Sequence, residues 1–244
     1  MSWIKPPPGT RLDLLDPYAR WLVAGYLMND GRGSSKVEDI SGNGNHGALT
    51  NMDPKTDWVG GPNGWALDFD GNNDWIDLGT VNSGHSLMLA GSGGTISVRF
   101  KQESTGDDFQ RLIDKSDAGN FVNGWALYTD NQGYNPGERR IALGRDGRAE
   151  YSPASIYNFD EWVCAIATWE DAQEASFSVN GVEYAVDISL GGDPVTIPDV
   201  STEIKIGTWN HTTGREFNGQ ISHVLVFNKA LSVTERMNLY KMFS

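Results

Sequence analysis

Four histidines, one cysteine and 32 acidic residues are the chemically capable groups of a 244-residue chain, and their spacing decides what they could do. Retaining hydrolysis of a sugar bond needs two carboxyl groups about 5 to 5.5 Å apart. Glu170, Asp171 and Glu174 form the nearest acidic cluster, but their spacing does not fit that demand, and Asp171-Ala172-Gln173 reads as a solvated turn. Asp74 and Asp77 have odd separation on a strand, which sends them to opposite faces. His46, His85, His211 and His223 have no G-x-S-x-G elbow to serve. Cys164 lies in an apolar run without a flanking base, the setting of an inert buried thiol. Zinc would call for H-x-x-x-H or C-x-x-C spacing, and neither occurs. His223 shares strand parity with Ile221, Leu225 and Phe227, which predicts a partly buried, hydrogen-bonded structural histidine. These readings predict a non-catalytic protein.

Binding chemistry has better raw material. A calcium ion takes six to eight oxygens, and Asp30, Asp39, Asn43 and Asn45, with the backbone carbonyls of the Gly-rich stretch 42–47, offer oxygen ligands without histidine or thiol. The same residues suit a turn in which Asn and Asp side chains bond their own backbone, so both readings stand. Nine Trp and eight Tyr exceed the needs of a core this size. Flat rings placed in loops stack on sugar faces or anchor protein contacts. Trp58, Tyr134 and Trp209 sit beside turn residues such as Gly60, Gly133, Asn135 and Asn210, and these three are the candidate ligand-binding rings. Trp65, Trp75, Trp125 and Trp162 fall in strand patterns and are assigned to the core.

The elements that must position these groups are strands. Ile96, Val98 and Phe100 alternate with Thr95, Ser97, Arg99 and Lys101, the period of a half-buried strand. Trp65, Leu67 and Phe69 repeat it. So do Phe177 and Val179 before Asn180-Gly181, with Val182, Tyr184 and Val186 after it, which predicts a tight hairpin over 175–187. Further strands are expected at 22–28, 74–78, 110–114, 125–129, 140–144, 161–169, 203–208 and 219–227. A helix follows Ser232, where Ser232 and Glu235 form a capping box and Val233, Met237 and Tyr240 share a face. Residues 1–20 carry Pro6, Pro7, Pro8 and Pro17 and read as an extended arm ahead of one domain over 21–244.

Composition narrows the partners. The net charge of -13 repels phosphate backbones and anionic lipid, so nucleic acid is disfavoured. The longest apolar run, Trp21 to Met28, is far below the roughly 18 to 20 residues of a membrane span. The opening residues lack a basic segment followed by an apolar stretch, which predicts no export by a secretory signal. A single cysteine means that the fold does without an internal disulfide.

Several of these segments carry a resemblance. Leu22 to Met28, Asn29-Asp30-Gly31-Arg32-Gly33, the turn Asp39-Ile40-Ser41-Gly42-Asn43-Gly44-Asn45-His46-Gly47, Ala66 to Gly71 before Asp74-Trp75-Ile76, the Trp162 strand with its 179–182 hairpin, and Phe217-Asn218-Gly219 through Ser232 are similar in kind and order to the laminin-G-like, concanavalin A-like jelly-roll modules. The resemblance covers about residues 21 to 240. It implies an all-β, two-sheet antiparallel β-sandwich with about six or seven strands per sheet. Sugar-cleaving members use a string such as E-x-D-x-x-E, which is missing. The family's structural calcium joins the early turn to an Asp of the last long strand, and here the family's I-D-E-V reads Ile221-Ser222-His223-Val224, which weakens that site. The arm, with Lys5-Pro6-Pro7-Pro8-Gly9-Thr10 and Asp16-Pro17-Tyr18-Ala19-Arg20, resembles chains encoded among bacteriophage structural genes. That likeness implies a virion protein assembled in host cytoplasm, a decoration or tail component. Its arm would contact other virion proteins, it could form a homo-oligomer, and it would bind host-surface polysaccharide. A lectin-like module outside a virion is the alternative, and a glycan hydrolase ranks last.

Overall fold

The computed structural model describes residues 5–10, 13, 16–81, 87, 89, 93–106, 108–116, 124–131, 137–193, 197, 202–211 and 214–243. Seventeen strands and one α-helix follow one another along it. The first six are β1 (Leu22–Tyr26), β2 (Lys36–Val37), β3 (Gly47–Thr50), β4 (Trp58–Gly61), β5 (Gly64–Asp70) and β6 (Trp75–Val81). Next come β7 (Gly94–Gln102), β8 (Arg111–Lys115), β9 (Trp125–Asp130), β10 (Arg140–Arg145), β11 (Arg148–Tyr151) and β12 (Val163–Trp169). The last are β13 (Ser176–Val179), β14 (Val182–Ala185), β15 (Ile188–Leu190), β16 (Thr202–Ile206), β17 (Asn218–Phe227) and the helix α1 (Val233–Phe243).

Among the described residues they build two antiparallel sheets, the expected all-β sandwich with more strands per sheet than the resemblance implied. An eight-stranded sheet runs β14-β13-β12-β7-β17-β5-β4, with β1 also paired to β17. A nine-stranded sheet runs β15-β11-β10-β9-β8-β16-β6-β3-β2. The core lies between their inner faces, where Ile96, Val98 and Phe100 of β7 meet Leu127 of β9 and Ile141 and Leu143 of β10. Asn180 and Gly181 take positive φ (50° and 79°) between β13 and β14, as the predicted hairpin requires.

One outer face carries a further layer. On the eight-stranded sheet, α1 buries Leu239 and Phe243 against Leu22, Ile40, Cys164, Ile166, Leu225 and Phe227. This corrects the expected helix face. Val233 is exposed, and Arg236, Leu239 and Phe243 are the buried residues, because Arg236 is held by Glu183 and by the carbonyl of Leu231 (2.6 Å). The capping box forms as read, with Ser232 Oγ accepting from the Glu235 N–H (3.3 Å) and Glu235 accepting from the Ser232 N–H (2.8 Å).

The described part of the arm folds back on the same face. Lys5 is 7 % exposed and its Nζ donates to the carbonyls of Trp65 and Ser222 (2.7 Å to the latter), while its own N–H bonds Asn63 O (3.0 Å). Ala19–Trp21 form one 3-10 turn, and Tyr18 packs edge-on against Phe227. His223 lies beneath this layer, fully buried, against the Phe243 ring at 4.6 Å and with Nε2 3.4 Å from Ser97 Oγ. Its expected parity needs one correction. A bulge between Ile221 and His223 reverses the alternation, so Ile221, Val224 and Val226 face the core while Leu225 and Phe227 face α1. Burial pushes the Cys164 thiol up to about 11, as an inert buried cysteine should be. No helix among the described residues is long and apolar enough to cross a membrane.

Candidate functional site

On the outer face of the nine-stranded sheet polar and aromatic side chains collect, with no covering layer among the described residues. Residues of β8 to β11 that do not face the core alternate to this side. Ala126 and Tyr128 of β9, Ala142 of β10, and Ala149 and Tyr151 of β11 form a cluster of their own, with Phe109 and Ile188 packed against it. The register places Tyr128 and Tyr151 on either side of Ala142, and Ala126 and Ala149 on either side of Gly144. A row of rings thus borders a row of small residues, and the small row makes a hollow. Phe109, Tyr128, Ala149, Tyr151, Leu190 and Arg215 line a depression of about 460 Å³ there, in the size range of small-ligand clefts, about 300 to 1,000 Å³.

Asp146-Gly147, with φ of 38° and 84°, closes the two-residue turn between β10 and β11 that makes this hollow possible. At the other end, the chain leaves β16 through Gly207. Its φ is 90°, and an added Cβ would fall 2.4 Å from the Phe69 ring, so no other residue fits. That bend carries Trp209 onto the outer face. Asn210 then pins the segment, its Nδ2 donating to Glu203 O (2.8 Å) and Ser116 O (3.0 Å). Trp75, Lys205, Thr208, Trp209, His211 and Glu216 surround a second hollow of about 220 Å³. Trp209 lines this second hollow, and Arg215, stacked on its ring, borders the first. The Arg215 guanidinium sits 4.0 Å from its ring centroid and 5.3 Å from that of Phe109, Arg111 lies 5.8 Å from it, and the His211 ring meets it edge-on at 5.6 Å.

Beneath the rings is a buried ion pair. Arg111 Nε donates to Asp114 Oδ2 at 2.9 Å, with both side chains out of solvent. Asp114 Oδ1 also accepts the Ser116 N–H (2.9 Å) and hydroxyl (2.7 Å), and Arg111 Nη1 donates to Phe109 O (3.0 Å). Burial raises the Asp114 carboxyl, opposed by the Arg111 charge and the Ser116 bonds, and burial likewise lowers Arg111. The Arg111 guanidinium supports the Tyr128 ring at 4.4 Å. Tyr128 OH donates to Tyr151 OH (3.2 Å), and burial raises both phenols, so neutral hydroxyls floor the hollow.

The residues singled out from sequence are not brought together. Trp209 is half-buried and central to the groove. Tyr134 and His85 lie outside the described residues. Trp58 is a correction: it is 0 % exposed, packs in the core from β4 and donates its Nε1–H to Ser34 O (2.8 Å), so it offers no ring to a ligand. Trp125 is buried as expected, but Trp75 lines the second hollow and Trp162 is half-buried under Lys101 (5.9 Å). Glu170, Asp171 and Glu174 are exposed, and Glu174 pairs with Arg148 (3.1 Å).

The calcium set forms a self-satisfied turn. Asp39 is 6 % exposed; its Oδ1 accepts the N–H groups of Gly25 (2.9 Å) and Ser41 (2.9 Å), and its Oδ2 accepts Ser41 Oγ–H (2.7 Å) and Asn45 N–H (3.0 Å). Asn43 and Asn45 turn their amide NH2 groups onto Val23 O (3.0 and 2.8 Å). Asp30 accepts the Glu38 N–H (3.3 Å) instead of converging on Asp39. Proton donors thus occupy the Asp39 positions a cation would need, and the residues present do not fit a calcium cage. No group of three or more His, Cys, Asp or Glu side chains arranged for a metal occurs among the described residues.

Two packed antiparallel sheets of this kind are the architecture of the lectin-like jelly rolls. Residues 62–235 match the laminin-G-type family of the concanavalin A-like lectin/glucanases superfamily, and the chain belongs to that family. No curated protein sequence is a significant match. Among solved structures, the chain is similar to domain 4 of AbnA, a GH43 extracellular arabinanase from Geobacillus stearothermophilus, solved with arabinotriose. There the TM-score is 0.61 and the identity 18%, over 90% of this chain and 98% of that one. It is also similar to the CBM40 of the Ruminococcus gnavus IT-sialidase bound to α2,3-sialyllactose (TM-score 0.53, 17% identity, 72% of this chain and 96% of that one). A botulinum neurotoxin type C structure, described as entering cells through two ganglioside molecules, aligns at TM-score 0.58 and 13% identity over 93% of this chain and 52% of that one. These likenesses establish the fold.

Proposed function

We propose that the protein is a non-catalytic carbohydrate-binding module that holds a glycan along the outer face of the nine-stranded sheet. The observation that carries this reading is Trp209: a half-buried indole that lines one hollow, braced by His211 and by Arg215, which borders the neighbouring hollow with Tyr128 and Tyr151. A sugar ring presents an apolar face to stack on an indole and hydroxyls to bond to a neutral phenol, and Trp209 and Tyr151 offer these two contacts. Arabinotriose, sialyllactose and gangliosides are bound by the structural neighbours, which lends the reading support by analogy. Affinity electrophoresis and calorimetry against a polysaccharide panel test it. Binding by the parent and its loss in Trp209→Ala, with Tm unchanged, is the expected result; a flat response to every glycan defeats it.

The finer setting we propose is a bacteriophage virion that uses the module to adhere to its host. It rests on the likeness of the arm to phage structural chains. Because Lys5 is tied to the protein's own sheet, we place the anchoring contact elsewhere than on the buried residues of the arm. Co-sedimentation of the protein with purified particles is the test, and its exclusive recovery as a free protein counts against the setting.

A further inference from the structure

Among the described residues three cations lie at or beneath the groove, and two of them are already committed. Arg111 is paired with Asp114 (2.9 Å), and Lys205 with Glu203 (3.0 Å). Arg215 is different. Among the described residues its guanidinium meets no carboxylate within ion-pair distance and donates no hydrogen bond; rings hold it, with Trp209 at 4.0 Å and Phe109 at 5.3 Å. Its backbone is fixed as well, since Glu216 accepts the N–H groups of Gly214 (2.8 Å) and Arg215 (2.9 Å) on one carboxylate oxygen. An arginine placed by aromatic stacking keeps its five N–H donors uncommitted, in a planar fork that matches a carboxylate. The same guanidinium borders the larger hollow. In a chain of net charge -13, a fixed cation that meets no acidic partner among the described residues, at the mouth of a cleft, is a local reversal of sign.

We propose that Arg215 is the specificity residue of this groove and that the glycan it selects carries a carboxylate, as uronic and sialic acids do. The inference rests on the glycan-binding reading. The sugar ring lies on Trp209 while its carboxylate receives the Arg215 fork, and Tyr151 OH stands across the hollow for a ring hydroxyl. Neutral sugars keep the stacking but forgo the charged pair.

The test uses matched pairs that differ in the acid alone: oligogalacturonate against its carboxyl-reduced counterpart, and α2,3-sialyllactose against lactose. Each is titrated by calorimetry into the full chain and into Arg215→Gln and Arg215→Lys, and the readout is the acid-to-neutral affinity ratio. One charge-assisted pair predicts a ratio of about tenfold or more in at least one set, with that set naming the source of the acid. The ratio should collapse toward one in Arg215→Gln, recover partly in Arg215→Lys, and fall with added salt. Equal affinity for acid and neutral members, or a ratio that survives Arg215→Gln, overturns the role of Arg215 and leaves glycan binding standing. Binding of polyglutamate in preference to both acidic sugars overturns the sugar class. Silence from acid and neutral members alike removes both the inference and the reading beneath it. Calorimetric melting of the Gln variant confirms that its fold is intact.

Discussion

Replacing Arg111 with Met removes the guanidinium that faces Asp114 and leaves the carboxylate with only the two Ser116 donors, in a position closed to water. Removing one member of a buried ion pair destabilises by about 3 to 5 kcal/mol, because the other charge remains desolvated. For a domain of 150 to 250 residues each kcal/mol moves Tm by roughly 2 to 4 °C, so Arg111→Met should lower Tm by roughly 6 to 20 °C. The double substitution Arg111→Met with Asp114→Asn removes both charges and keeps an acceptor for Ser116. It should regain on the order of 2 kcal/mol of that loss, the rest being the bond to Phe109 O and the support of Tyr128. The sign with pH follows from burial. Burial already raises Asp114, and loss of Arg111 raises it further. The Met variant is therefore least impaired near pH 4, where the carboxyl is neutral, and its deficit grows as pH rises through the unfolded-state value of about 3.9 toward neutrality. Urea denaturation of the parent, both single variants and the double variant, at about pH 4.5 and about pH 7.5, measures the cycle. Additive single effects together with a deficit independent of pH would refute the reasoning.

Burial, with the Arg99 charge second, lowers the Lys5 ammonium to about 7. The folded arm thus binds fewer protons than the unfolded chain between about pH 7 and 10.5, and docking should strengthen as pH rises across that window; exchange protection of the Lys5 amide, corrected for intrinsic rates, should increase from pH 6 to 9 and lose that trend in Lys5→Met. Asp74 is raised to about 6 by burial and by the nearby carboxyls of Asp70, Asp57 and Asp68, so its ionised form disfavours the fold above the unfolded-state value. Asp74→Asn should raise Tm at neutral pH and have no such effect near pH 4; a benefit at both would point to another cause. The bonds already made by Asp39 predict the same Tm in millimolar calcium as in chelator, and a calcium-dependent rise would restore a cation to the 39–47 turn.

The strands are legible where one face is apolar and the other polar. Thr95 to Lys101 alternates cleanly because β7 has the core on one side and polar groups of the outer layer on the other. Short elements at or next to the sheet edges are not legible where two to four residues show no apolar alternation of their own. β2, β3, β4, β11 and β15 went unread, although Asp146-Gly147 marks the β10–β11 turn as surely as Asn180-Gly181 marks its hairpin. Trp58 was misplaced because neighbouring glycines identify a turn, not the direction of a ring: β4 pairs with β5 up to Gly61, and its first residue points into the core. The groove itself joins Arg111, Tyr128, Tyr151, Trp209 and Arg215 from four distant stretches, and only the strand order β11-β10-β9-β8-β16 puts them side by side. Of these, Trp209 alone carried a local signal.

Lys5 and Phe243 both lie on the far side of the sandwich from Trp209, Lys5 bonded to β5 and β17 and the carbonyl of Phe243 to Arg99 of β7. A tether attached at Lys5 or Phe243 would therefore start on the back of the molecule. Fixed by such a tether to a bead, a neighbouring domain or a larger particle, the protein would turn its aromatic groove outward, and many copies on one support would present a common front able to grip a polymer at several points at once.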